Sequence, residues 1–152
     1  MKHFTLSFLL CLVSFCGFAQ MPKATYNKNL ADSLGADQYG MKAYVFVILK
    51  TGSATISEKS VVDSLFKGHM DNMGRLVAGG KLIVAGPFKK NDQAFRGLFI
   101  LNVSTLDEAK LLLATDPAIK ANLLEADLLQ WYGSAALPMY LPFHSQVQKS
   151  DM

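Results

Sequence analysis

Few residues of this chain are suited to chemistry, and His69 leads them. Histidine is the side chain whose ordinary titration lies nearest neutrality, so an imidazole held against a substrate can act as general acid or base. It can equally be a neutral, hydrogen-bonded core residue, since buried polar groups usually find a partner without doing chemistry. Arg96, at a strand end, could hold a carboxylate or phenolate or simply be solvated. Trp131 and Tyr132 could wall a site, or serve as core or interface aromatics. Asp116, followed by Pro117, reads as a helix N-cap with proline at the first helical position. The sequence assigns no geometry to His144.

Other chemistries find no support in the residue pattern. Of the three histidines, His3 lies in an apolar leader, and His69 and His144 have no carboxylate cluster at ligand spacing, so no metal site is expected. The glycines of "AGGKLIVAG" do not follow either phosphate-binding fingerprint, and no cofactor is expected. The formal charge is +3, and the 15 Lys and Arg are scattered rather than gathered into a stripe, which argues against nucleic acid as a partner. Hydrophobic residues make up 51% of the 152 positions and charged residues 18%, the balance of one compact domain with a real core.

Residues 1–19 have the layout of a secretory signal peptide. Lys2 precedes an uncharged run from Phe4 to Ala19 that ends in the small-x-small triplet Gly17-Phe18-Ala19. That run is shorter than the roughly 20 residues of a spanning helix and is interrupted by Thr5, Ser7 and Ser14. Cleavage after Ala19 is therefore expected, with the product periplasmic or extracellular and not inserted in the membrane. A lipoprotein anchored at Cys16 is the lesser alternative, because bulky Phe15 stands where a small residue is usual. Cys11 and Cys16 are the chain's two cysteines, so cleavage would leave neither a disulfide nor a thiol nucleophile.

The elements that must position His69 follow from periodicity. Residues 20–41 read as an extension with a short helical piece around Leu30 to Leu34, and 134–152 as a tail. "KAYVFVILK" (42–50) is a strand covered on at least one face. A helix follows from about Glu58 to Ala78, with Ser57 as N-cap and Gly79 as the left-handed residue that stops it. At 100° per residue from Leu65, His69 falls near about 40°, between Leu76 and Val62, and so inside the apolar stripe. Strands are expected at 81–86, 96–103 and 125–133. A second helix at "STLDEAKLLLATD" has Thr105 and Glu108 at capping-box spacing.

The order is βαββαβ, an α+β ferredoxin-like arrangement with a four-stranded antiparallel sheet covered by helices on one face. Its strands read as apolar on both faces, so the other face calls for a cover. A second copy of the chain, as a homodimer, is the simplest candidate, with the tail "LPMYLPFH" contributing.

The mid-helix histidine in "GHMDNMGRLVAGGKLIVAGPF", the glycine-containing strand "RGLFILNV" and the acidic-proline turn "TDPAIKANLLEADL", in that order and spacing, resemble the YCII-related proteins. The resemblance covers about 42–133. It implies a dimeric α+β barrel of ferredoxin-like fold and an active site built on a histidine and an aspartate, at positions corresponding to His69 and Asp116. An aspartate on one imidazole nitrogen would fix the tautomer and stabilise the imidazolium, leaving the other nitrogen for a substrate. The chain departs from the family in having Ala121-Asn122 where Ala-Gly is common, and Asn tolerates the left-handed conformation needed there. Two functions are thus expected to compete. One is a small isomerase- or lyase-type enzyme, of the kind that includes dehydrochlorinases, acting on a small oxygenated substrate. The other is a non-catalytic dimer that binds a small ligand.

Overall fold

The computed structural model describes residues 25–150. The expectations for the leader, including Cys11, Cys16 and cleavage after Ala19, fall outside them. Among the described residues no helix is long and apolar enough to cross a membrane.

Four strands form one antiparallel sheet: β1 (Met41–Thr51), β2 (Leu82–Pro87), β3 (Phe95–Leu101) and β4 (Leu124–Ser134). Their spatial order is β2-β3-β1-β4, which with the βαββαβ chain order is the ferredoxin-like topology. The central strand β1 alternates its side chains. Val45, Val47 and Leu49 point to the helix-covered face, where they join Leu82, Phe99, Leu101 and Leu124 in the main core. Tyr44 and Phe46 point the other way, into a smaller cluster with Ile83 and Ile100.

The covering helices are α2 (Lys59–Ala78) and α3 (Leu106–Leu113), the latter followed by the single turn α4 (Pro117–Lys120). The buried residues of α2 are His69, Asn72 and Leu76, spaced three and four apart on one face. Two of the three are polar, in a position where a helix usually presents only apolar groups. Its ends differ from expectation. Glu58, not Ser57, is the N-cap and makes no side-chain cap bond. The left-handed residue is Gly80 (φ 65°), not Gly79 (φ −81°). Lys81 N–H donates to Leu76 C=O and Gly80 N–H to Val77 C=O, the paired bonds of a Schellman motif that places Gly80 one residue past the cap.

The capping box of α3 is present as the spacing predicts, Thr105 and Glu108 each serving the other's backbone. Asn122 takes φ 53°, the left-handed conformation required after Ala121.

Both extensions are structured. A short helix, α1 (Lys28–Leu34), leads to Asp37, whose carboxylate accepts from Tyr39 N–H, Met41 N–H and the Tyr132 hydroxyl, pinning this segment to β4. After β4 come a 3₁₀ turn (Leu137–Tyr140) and α5 (Leu141–Val147). Leu137 packs on the smaller cluster and the Tyr140 hydroxyl donates to Ile83 C=O, so the tail covers part of the face that the core helices leave open. Leu129 and Trp131 on that face remain substantially exposed.

A candidate acid/base site

The site begins with an approach of backbones. Gly68, in the middle of α2, faces Pro117 so closely that a Cβ built on it would lie 2.8 Å from the proline ring. Glycine inside a helix costs about 1 kcal/mol relative to alanine, and here it lets the start of α4 press against α2. That contact brings together side chains 47 positions apart: His69 Nδ1 lies 2.6 Å from Asp116 Oδ2.

Asp116 is fully buried and serves two ends at once. Its Oδ1 caps α4, accepting from Ala118 N–H (2.9 Å) and Ile119 N–H (3.4 Å), while Oδ2 faces His69. The N-cap and the histidine-partner readings are therefore compatible, each using its own oxygen. Burial alone would push this carboxyl up. The hydrogen bond from His69, the His69 charge and the two backbone donors outweigh it and hold Asp116 below its ordinary value. An ionised Asp116 is an acceptor only, so the proton between them belongs to His69 Nδ1, and in the neutral imidazole Nε2 carries the lone pair.

His69 is stacked on Phe99 (centroids 5.9 Å apart, planes at 19°) and stands edge-on to Phe66. Its ring forms part of the wall of a cavity of about 260 Å³, together with Leu49, Phe66, Met70, Met73 and Phe99. Nε2 makes no hydrogen bond among the described residues, yet no buried side-chain nitrogen or oxygen there lacks a partner. Nε2 thus keeps some exposure, on a residue that lines the cavity.

Arg96, the second residue of β3, is exposed and also lines this cavity, with no ion pair among the described residues. Asp116 does not line it; the aspartate lies behind the imidazole. Trp131 and Tyr132 are elsewhere, the first tilted against Tyr44 (5.6 Å) on the open sheet face and the second bound to Asp37. His144 is exposed on α5. Among the described residues no group of three or more metal-ligating side chains gathers.

Two contributors escaped the sequence reading. Gly68 carried a signal, an isolated glycine within a helical pattern. So did Asn72, since the angle that places His69 in the apolar stripe places Asn72 there too, near about −20°.

A ferredoxin-like sheet with a helix-borne histidine paired to a buried aspartate beside an apolar cavity is the class defined by fold and geometry. A family model, the YCII-related domain, matches residues 43–131, and the chain belongs to that family. Among solved structures it is similar to 5-chloro-2-hydroxyhydroquinone dehydrochlorinase (TftG) from Burkholderia phenoliruptrix AC1100, in complex with 2,5-dihydroxybenzoquinone. The identity is 22%, with 57% of this chain and 92% of that one covered and a TM-score of 0.42. No functionally curated protein matches.

Proposed function

We propose that the chain is an exported, homodimeric enzyme that moves a proton on a small oxygenated substrate. The observation that carries this reading is the 2.6 Å contact that fixes His69 Nδ1 on Asp116 while the same ring faces a cavity. In the proposed reaction Nε2 takes a proton from an acidic carbon or phenol, and the electron pair moves into an adjoining carbonyl or ring. The imidazolium, stabilised by Asp116, then returns the proton at a different atom, giving an isomerisation. Departure of a leaving group with its electron pair instead would give an elimination. Asp116 is a positioning partner that never touches the substrate, and Arg96 would hold an oxyanion at the cavity mouth.

Positioned acid/base catalysis contributes about 10²- to 10⁴-fold, enough for a substrate whose proton is already acidic and too little for amide hydrolysis. At about 260 Å³ the cavity is smaller than the roughly 300–1,000 Å³ typical of drug-sized sites, which suits a single ring or a short chain. The apolar open face of the sheet supports the homodimer, and the layout of residues 1–19 supports export.

The test is solvent-deuterium exchange into small enolisable acids such as phenylpyruvate, followed by proton NMR. Wild type should accelerate loss of the acidic C–H signal, and a folded His69→Gln variant, which can still donate to Asp116, should not. Equal acceleration by both would exclude His69 as the base. The low exposure of His69, 8%, favours one competing reading: a binding protein in which the ring is a ligand contact. For that protein wild type would bind such acids without exchanging them, and His69→Ala would chiefly lower stability.

A further inference from the structure

The mechanism so far leaves one buried polar side chain unused. Asn72, one turn after His69 on the same face of α2, is 1% exposed and lies in the apolar stripe. A polar group in that position is costly unless its hydrogen-bonding capacity is met. The Asn72 amide oxygen lies 2.5 Å from Arg75 Nη2 and 2.8 Å from Thr115 Oγ1. Arg75 can only donate to it, and the single Thr115 hydroxyl proton is shared between this oxygen and Leu112 C=O (2.7 Å). They fix which way round the amide sits, so its nitrogen must face the opposite direction. There it points at Asp116 Oδ2, at 3.5 Å, the same oxygen that accepts from His69.

We propose that Asn72 is a positioning residue for the acid/base pair, locked by Arg75 and Thr115 so that it holds the Asp116 carboxylate in the rotation that keeps His69 in its Nδ1–H tautomer. The geometry is that of a clamp with two jaws. On one side Ala118 and Ile119 N–H hold Oδ1; on the other, Asn72 Nδ2 and His69 Nδ1 share Oδ2. Without the second jaw the carboxylate keeps its cap bonds but is free to turn about its Cβ–Cγ axis, moving Oδ2 off the imidazole. With both jaws in place the carboxylate has four donors and no unmet demand for a proton, so it stabilises an imidazolium without taking its proton. Arg75, exposed on the outside of α2, is the far end of the chain, and its charge reinforces the lock through the Asn72 oxygen.

The consequence for catalysis rests on the proposed role of His69, but the positional claim has its own readout. The tautomer of neutral His69 can be read at alkaline pH from the ¹⁵N shifts of its two ring nitrogens, in the intact mature protein. Wild type should show a single form, protonated at Nδ1. Asn72→Leu, confirmed as folded by circular dichroism, should show a mixture in which the Nε2–H form is substantially populated, and its deuterium-exchange rate should fall about tenfold, a fraction of the whole acid/base contribution.

Should Asn72→Leu not fold, Thr115→Val takes its place. It removes the hydroxyl that Asn72 shares with Leu112 C=O, leaving Arg75 alone to orient the amide, and should populate the Nε2–H form to a smaller extent, while Thr115→Ser, which keeps the hydroxyl, restores the single form. A folded Asn72→Leu, or failing that Thr115→Val, with the wild-type ¹⁵N pattern would overturn the proposal. A shifted tautomer with unchanged exchange would uphold Asn72 as a positioning residue and count instead against His69 as the catalytic base.

Discussion

The two faces of the sheet use similar residues to different ends. On the helix side, Val45, Val47 and Leu101 have no exposure at all, and the chain covers them with its own helices. On the opposite side, Phe46, Ile48 and Leu98 are half-buried and Leu129 is 53% exposed, although the tail lends Leu137 and Tyr140. The polar machinery lies wholly on the closed face: His69, Asn72 and Asp116 are the buried polar residues described, and they form one network. The proposed acid/base pair would gain from that enclosure, because the low local dielectric strengthens the hold of Asp116 on an imidazolium and a packed helix fixes its orientation. The open face differs: its centre is apolar, with the Lys50–Asp127 ion pair and Lys42 over the Tyr44 ring toward its ends, a surface suited to another of its own kind.

Truncation on each face gives the largest contrast. Leu101→Ala, on the closed face, should lower stability by about 2–5 kcal/mol in denaturant unfolding. Leu129→Ala should change the stability of a single copy by no more than about 0.5 kcal/mol. Its effect should appear in association instead: Leu129→Arg is expected to shift the sedimentation of the proposed dimer to that of a monomer. Equal costs on the two faces in a monomeric protein would remove the distinction.

A smaller effect tests the close approach within the closed face. At an ordinary helix position Gly→Ala stabilises by up to about 1 kcal/mol. Gly68→Ala should do the reverse, by about 1–2 kcal/mol, because the new methyl meets the rigid Pro117 ring and nothing there can swing aside. The same change should weaken the His69–Asp116 contact, and a stabilised Gly68→Ala variant would mean that the two elements part easily.

The smallest effect is in pH. The carboxyl of Asp116 is lowered on folding from a reference of 3.8, so its contribution is complete above that value and is lost as pH falls through the folded value. Wild type should therefore be more stable than Asp116→Asn near neutrality, and the gap between them should narrow steadily as pH drops below about 4. A gap that stays constant into acid would show that the carboxylate charge contributes nothing.

Much of the closed face was legible in the sequence. The near-continuous apolar run of "KAYVFVILK", the spacing of Thr105 and Glu108, and Asp116-Pro117 each follow from local physics, and each falls in the element expected. The histidine was legible as inward-facing, because 100° per residue admits little choice for a position in mid-helix. The meeting of His69 with Asp116 was not, since a contact across 47 residues depends on how α2 packs on α4; the family resemblance supplied it. The exact helix ends were also out of reach. Two adjacent glycines can both serve as a stop, and the Schellman bonds chose the second. The helical tail went unread because Pro138 and Pro142 look like breakers, whereas both sit in the first turn of their elements, where proline is tolerated.

The central claim, that an imidazole oriented by Asp116 offers its second nitrogen to a ligand in the cavity, is tested most directly by titrating ¹⁵N-labelled protein with a single-ring acid such as salicylate and following the two ring nitrogens of His69. Saturable binding should perturb Nε2 more than Nδ1, and Arg96→Gln should weaken that binding without altering the unliganded spectrum. Binding that leaves both ring nitrogens of His69 unmoved would contradict the account.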